Sequence, residues 1–259
     1  MISIPHTGDK NCITYWMPRL EAAGIPMPRT KIVRWDTEDQ KRWIFVVRPP
    51  GSSRFFEELQ QAAESFGSPC FLRSSHFSGK HDWKRCCFVC DPQKLMDHVF
   101  SIIEMGECVN FLGFPWDAWA VREYLPPMDG DVAFVAKRFG DMPVRREYRC
   151  FVRDGVVECV HPYWPGGAFD GLNPGEDPFT VDPHPTKESE MANLIADPGE
   201  HLDAIVKLAA TAGAALPGYW SVDILRDSTG KWMVTDCAVG ADSFHWDPCE
   251  VNAAAKETT

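Results

Sequence analysis

The chain lacks any run of about 18 apolar residues, the length a helix needs to cross a bilayer, so no membrane-spanning helix is expected. It lacks an excess of positive charge: 26 Lys and Arg face 37 Asp and Glu, a net charge of −11. Non-specific binding to nucleic acid or to an anionic lipid surface needs a basic face. Both partners are therefore disfavoured, with only a local basic patch left open. The start, Met1-Ile-Ser-Ile-Pro-His6, lacks the basic segment and apolar run of a secretory leader. A cytoplasmic setting with reduced thiols is the expectation. There are 10 cysteines, but no two pairs stand at zinc-ligand spacing; Cys86, Cys87 and Cys90 cluster without a second pair. Cys150, Cys159 and Cys237 lie in apolar strand patterns, where a thiol reads as a small buried hydrophobe. The P-loop pattern Gly-x-x-x-x-Gly-Lys-Ser/Thr is absent, as is any internal repeat.

What is present suffices for a sizeable core. With 259 residues, 44% of them apolar, the chain can form one large domain or two to three small lobes around a cleft. Residues 12–23 have apolar positions near helical spacing, with Pro18 as a possible kink and Gly24 as the stop. A strand is predicted over 30–35, another over 44–47, and a helix over 54–66 with one apolar stripe. Strands follow over 69–73 and 85–90, around a polar loop at 74–83. Asp91-Pro92 opens a helix in the favoured N-cap and N1 order. Strands are predicted over 118–125, 132–137, 146–152 and 156–161, the last two joined by a turn at Arg153-Asp-Gly155. The Gly-, Pro- and Asp-rich stretch 162–185 is a long loop, of a kind that is either functional or mobile. A helix over 200–215 leads into the final hairpin, and the tail from Asn252 is expected to fray.

That hairpin is the centre of the pattern. Trp220-Ser-Val-Asp-Ile-Leu225 and Trp232-Met-Val-Thr235 read as strands, and Asp227-Ser-Thr-Gly230 as the turn. Asp223 lies on the first strand and Asp236 at the end of the second. Two carboxylates on paired strands can converge on a hard cation such as Mg²⁺; an ordinary hairpin with two solvated acids stays open as the alternative. Three further stretches suit a nucleotide. Arg73 ends a strand and Lys80 follows Gly79 in a Ser/Gly loop, a flap able to cover polyphosphate. Trp119-Ala-Val-Arg-Glu-Tyr-Leu125 runs into Pro126-Pro127 and can offer backbone groups to an adenine edge, with Val121, Tyr124 and Leu125 as an apolar wall. In Arg145-Arg-Glu-Tyr-Arg-Cys-Phe-Val152, alternation puts Arg145, Glu147 and Arg149 on one face, where Arg can grip phosphate at two points. A solvated surface hairpin, a Pro-terminated edge strand and cross-strand ion pairing are the respective alternatives.

In this order, and above all through Glu147-Tyr-Arg-Cys-Phe-Val-Arg-Asp-Gly155, Val222-Asp-Ile-Leu225 and Val234-Thr-Asp236, the chain resembles ATP-grasp proteins over roughly residues 60–247. The likeness is to small phage and bacterial members and to the cell-division-cycle-123 group. It implies an α/β (α+β) ATP-grasp fold with nucleotide held between two α+β subdomains (67–124 and 125–250), behind a small N-terminal α/β lobe (1–66). It implies that Arg73 and Lys80 hold the α/β phosphates, that Glu123, Tyr124 and Leu125 form the adenine hinge, that Arg149 meets the γ-phosphate, and that Asp223 and Asp236 bind Mg²⁺. Lys80 and Arg149 are then the catalytic cations. Two departures stand out. Arg73 occupies a position where many members have Lys, and Ala238 occupies that of the usual Asn ligand, so Asp242 or Ser243 would have to supply the missing oxygen.

The resemblance implies an ATP- and Mg²⁺-dependent ligase joining a carboxylate to an amine through an acylphosphate. A non-catalytic ATP-binding assembly factor of the cell-division-cycle-123 type is the rival expectation, and a kinase a third. His161, Tyr163, Trp164, Gly166 and Gly167, in or beside the long loop, are candidates to line the acceptor site. Nothing in the residues names the carboxylate or the amine.

Overall fold

A computed structural model describes residues 8–35, 54–110, 113, 115–128, 132–136, 139–164, 199–245 and 249. The strand expected at 44–47, Gly166 and Gly167 with the rest of the loop beyond Trp164, and the tail from Asn252 lie outside the described residues. The chain divides into two compact units: residues 1–15, 28–125 and 136–142 form one, residues 16–27, 126–135 and 143–259 the other.

The first unit is built on a four-stranded antiparallel sheet in the order β1 (Thr30–Arg34), β4 (Ala118–Glu123), β2 (Cys70–Ser74), β3 (Phe88–Val89). Helices α2 (Arg54–Phe66) and α3 (Leu95–Val109) share one apolar core with it. Helical spacing in α2 aligns Phe55, Leu59, Ala62 and Ala63, all of them buried. Trp35, just past β1, stacks on Phe55 at 4.3 Å with the rings 1° from parallel, and meets Phe56 edge-on at 5.6 Å. Such pairs add to the area term of burial. The N-cap expected at Asp91 is present: its carboxylate accepts from Gln93 N at 3.0 Å, with Pro92 next. The turn it opens is a 3₁₀ turn, Pro92–Lys94, before the α-helix begins at Leu95. The expected strand 85–90 shrinks to the two residues of β3. β1 pairs with β4, and α2 packs in the same core as β2 and β4, because the apolar stripe of α2 finds its cover on that sheet.

Helix α1 (Ile13–Ala22) runs through Pro18 without ending. Burial of Ile13, Trp16, Met17 and Leu20 outweighs the backbone bond that Pro18 cannot donate. Gly24, at φ +68°, takes the left-handed conformation that closes the helix.

The second unit carries the antiparallel sheet β10 (Trp232–Val239), β9 (Tyr219–Arg226), β7 (Glu147–Arg153), β8 (Val156–Pro162). Helix α4 (Leu202–Ala215) packs on one face of it. The β7–β8 turn has Asp154 at φ 49° and Gly155 at φ 84°, the primed-turn geometry that Asp-Gly favours. The β9–β10 turn is held by Asp227 Oδ1, which accepts from Thr229 N at 2.8 Å and Lys231 N at 2.9 Å. Two further strands, β5 (Val132–Ala136) and β6 (Met142–Arg145), pair with each other. No helix among the described residues is long and apolar enough to cross a membrane.

Gly213 on α4 packs tightly against the sheet. A Cβ there would lie 2.3 Å from Val152 Cγ1, and Val is stiff at χ1. Gly213→Ala gains up to about 1 kcal/mol of helix propensity but overpacks the interface by roughly 1–3 kcal/mol. The expected outcome is a lower urea midpoint at unchanged m-value; a raised midpoint would contradict this packing.

Candidate functional site

The site in the second unit is a row of side chains across the sheet. Asp236 on β10 pairs in register with Asp223 on β9, Asp223 with Arg149 on β7, and Arg149 with His161 on β8. Register partners share a face, so the row His161–Arg149–Asp223–Asp236 lies on one side of the sheet. Val152, Val222 and Ile224 alternate to the other side, where Val152 meets Gly213 of α4. Asp236 reaches this row through a bulge. The register slips between Val234 and Asp236, and the extra residue, Thr235, turns Asp236 onto the face of Asp223.

Arg149 and Asp223 form a two-point pair: Nε donates to Oδ1 at 2.8 Å and Nη2 to Oδ2 at 2.9 Å. Both side chains are largely buried. Burial alone would lower the Arg149 pKa, but the Asp223 charge and its hydrogen bonds outweigh this and raise it above the ordinary value. The guanidinium also lies 4.7 Å from the centre of the Tyr163 ring, a cation–π contact. Its Nη1 makes a long 3.4 Å bond to Phe244 O. Asp236 Oδ1 accepts from Cys237 N at 3.1 Å, and the residue is half-buried. Ala238, two residues on, faces Ser221 in register; the Ser221 and Ser243 hydroxyls lie 2.6 Å apart there. Asp242 stands exposed in the 3₁₀ turn Gly240–Asp242.

The remaining expected residues lie in the first unit. Arg73 is buried near the end of β2, with Nε donating to Ser74 O at 3.2 Å. Lys80 opens a 3₁₀ turn, Lys80–Asp82, directly after Gly79 at φ 63°. A Cβ at Gly79 would come within 2.9 Å of Cys86 Cβ and Sγ, so close packing and backbone angle both call for glycine. Glu123 ends β4 and accepts from Arg29 N at 2.8 Å and Arg29 Nε at 2.5 Å. Tyr124 meets Phe88 edge-on at 5.0 Å, and Leu125 is buried.

One cation escaped the reading of the sequence. Arg122 is 4% exposed, pairs in register with Phe71 and so shares the face of Arg73, two residues along β2. Its Nε donates to Thr30 Oγ1 at 3.1 Å. The signal was legible: a lone cation inside an otherwise apolar strand is rarely buried without a purpose. Among the thiols, Cys150 and Cys237 are buried as expected, and burial pushes the Cys150 thiol up. Cys159 departs from expectation. It is only half-buried, with its sulfur 3.2 Å from His245 Nε2.

A family model of the ATP-grasp domain, the third family of its clade, matches residues 36–245. The chain belongs to this family. Its fold is the ATP-grasp fold, helices with antiparallel sheets. Among solved structures, Cdc123 from Schizosaccharomyces pombe is similar at 12% identity and a TM-score of 0.51, over 88% of this chain and 82% of that one. D-alanine–D-alanine ligase from Bacillus anthracis complexed with ATP is similar at 14% identity and a TM-score of 0.47, over 96% of this chain and 62% of that one. The D-cycloserine synthetase DcsG is similar at 16% identity and a TM-score of 0.46, over 89% of this chain and 62% of that one. This ATP-grasp chain thus spans less than two thirds of either of those two proteins, and the likeness at these identities is one of fold. A comparison with curated proteins finds no match.

Proposed function

We propose that this ATP-grasp protein is an ATP- and Mg²⁺-dependent ligase that joins a carboxylate to an amine. The observation that carries the reading is the register row Arg149–Asp223–Asp236 on one sheet face. Its donor chemistry fits a hard cation. Each carboxylate oxygen has two lone pairs, so Asp223 can serve Arg149 and still offer oxygen to Mg²⁺, as can Asp236; the Ser221 and Ser243 hydroxyls replace the oxygen that Ala238 lacks. Mg²⁺, when bound, supplies charge neutralisation for phosphate oxygens.

The reaction balances without a covalent protein intermediate. A substrate carboxylate oxygen attacks the γ-phosphorus and ADP leaves, giving an acylphosphate. The amine then attacks the acyl carbon, phosphate leaves, and a proton is released. The protein's task is positioning and charge. Arg149 is held by Asp223 through Nε and Nη2, and Nη1 also donates to Phe244 O; its remaining N–H groups would donate to a γ-phosphate oxygen. Arg73 and Lys80 take the α/β phosphates, and Glu123, Tyr124 and Leu125 the adenine edge. A second reading, an ATP-binding assembly factor that makes no bond, is favoured by one feature: Ala238 carries no donor where the family's Asn would stand.

The test is thermal melting with ATP and Mg²⁺, with GTP and Mg²⁺, and without nucleotide, followed by ADP release with pooled amino acids as carboxylates and amines. ATP with Mg²⁺ should raise the melting temperature by mass action, with GTP weaker. No shift with millimolar ATP would remove the nucleotide reading. A shift with no ADP released under any acceptor condition would select the assembly factor.

A further inference from the structure

Four metal-binding side chains meet on the same face of the second unit's sheet, beside the row of Arg149, Asp223 and Asp236. Cys159 and His161 stand two residues apart on β8, and strand alternation puts both on one face. In register they pair with Phe151 and Arg149. The chain after β10 folds back over that face. Arg149 Nη1 donates to Phe244 O, and His245 stacks on Phe151 with centroids 3.7 Å apart and rings 9° from parallel. This brings His245 and Cys249 to the other pair. One ligand atom from each of Cys159, His161, His245 and Cys249 lies within 4.8 Å of the others, and Cys159 Sγ is 3.2 Å from His245 Nε2.

We propose that these four residues bind a single Zn²⁺ in a closed tetrahedral site, which clamps His245 and Cys249 onto β8. The donor set is two thiolates and two imidazoles, one of the standard structural-zinc combinations. Zinc bonds of roughly 2.0 Å to nitrogen and 2.3 Å to sulfur imply ligand-to-ligand edges of about 3.3–3.8 Å, so the donors need to close by only about 1 Å around the ion. Four protein ligands leave no open position, so the metal is structural and takes no part in chemistry. The spacing Cys-x-His on a strand and His-x-x-x-Cys after it differs from paired Cys-x-x-Cys motifs, which is why linear spacing conceals it. On binding, each thiol gives up its proton to become the thiolate ligand. The site does not depend on the nucleotide reading, since its ligands are this chain's own and its readout is metal content.

The test uses the full chain, purified with a thiol reductant, loaded with Zn²⁺ and freed of loosely held ion by gel filtration. Metal analysis is expected to find one zinc per chain. Cys249→Ser and His245→Ala should lose it, while His245→Cys, which restores a zinc ligand, should keep it. Co²⁺ loaded into the wild type should give thiolate-to-cobalt charge-transfer and tetrahedral ligand-field bands, a readout that holds even where a variant fails to fold. Wild type that retains no zinc and gives no such bands overturns the proposal. So does full zinc retention in Cys249→Ser, or a Cys159–Cys249 disulfide that forms in place of metal binding when reductant is removed.

Discussion

Arg149→Ala is expected to lower the melting temperature by roughly 6–20 °C and to abolish ATP turnover. The two-point pair with Asp223 is largely buried, and deleting one partner leaves the other charge buried and uncompensated. Breaking such a pair costs roughly 3–5 kcal/mol. For a chain of this size each kcal/mol is worth about 2–4 °C. The pair's stabilising role and its chemical role separate in a second variant. Arg149→Met with Asp223→Leu removes both charges and fills similar volume, so much of the stability should return. On the proposed function turnover should not return, because the guanidinium assigned to phosphate and one of the carboxylates assigned to Mg²⁺ are both gone. Melting curves and ADP release on the single and double variants check both halves. A double variant that turns over ATP would take Arg149 and Asp223 out of the chemistry; an Arg149→Ala variant that melts like wild type would mean the pair is not a determinant of stability.

Asp236→Asn is expected to keep the fold and lose Mg²⁺-dependent turnover by about 10²-fold or more, the scale seen when a preorganised electrostatic group is removed from an active site. Asn keeps a carbonyl oxygen to accept from Cys237 N, as Asp236 Oδ1 does, so stability should change by less than about 0.5 kcal/mol. What it removes is charge. Asp223 already has Arg149 as its counter-charge, so the charge on Asp236 is the one that would add most to the hold on a cation. Turnover titrated with Mg²⁺ for wild type, Asp236→Asn and Asp242→Asn gives the comparison. Asp242, exposed in its turn, should matter only if it reaches the metal in place of the donor missing at Ala238. Unchanged Mg²⁺ dependence in Asp236→Asn would remove β10 from the site.

The sequence on its own was enough for the local elements that short-range physics dictates. The amphipathic stripe of α2, the Asp91-Pro92 start, the Asp154-Gly155 turn and the Asp227–Gly230 turn each follow from residues close in the chain. The resemblance carried by Glu147–Gly155 and Asp223–Asp236 was enough for the family, since the model match covers 36–245. The sequence also named Asp223 and Asp236 as a pair of carboxylates on one hairpin, and Arg149 as a separate feature.

Only the tertiary structure decided how they face one another. Strict alternation back from the β9–β10 turn would pair Asp236 with Val222 and aim it at the side where Val152 meets α4. The bulge at Thr235 adds one residue, pairs Asp236 with Asp223 instead, and flips it to the other face. A strand's period is two, so a single extra residue reverses every side chain beyond it, and nothing in the spacing Asp223…Asp236 announces that slip. The Cys159, His161, His245 and Cys249 cluster was hidden for the same kind of reason. Its two halves are far apart in the chain, and they meet only because the chain after β10 folds back over β8. Spacing reports neighbours along the chain; register and return paths, set by packing, decide neighbours in space.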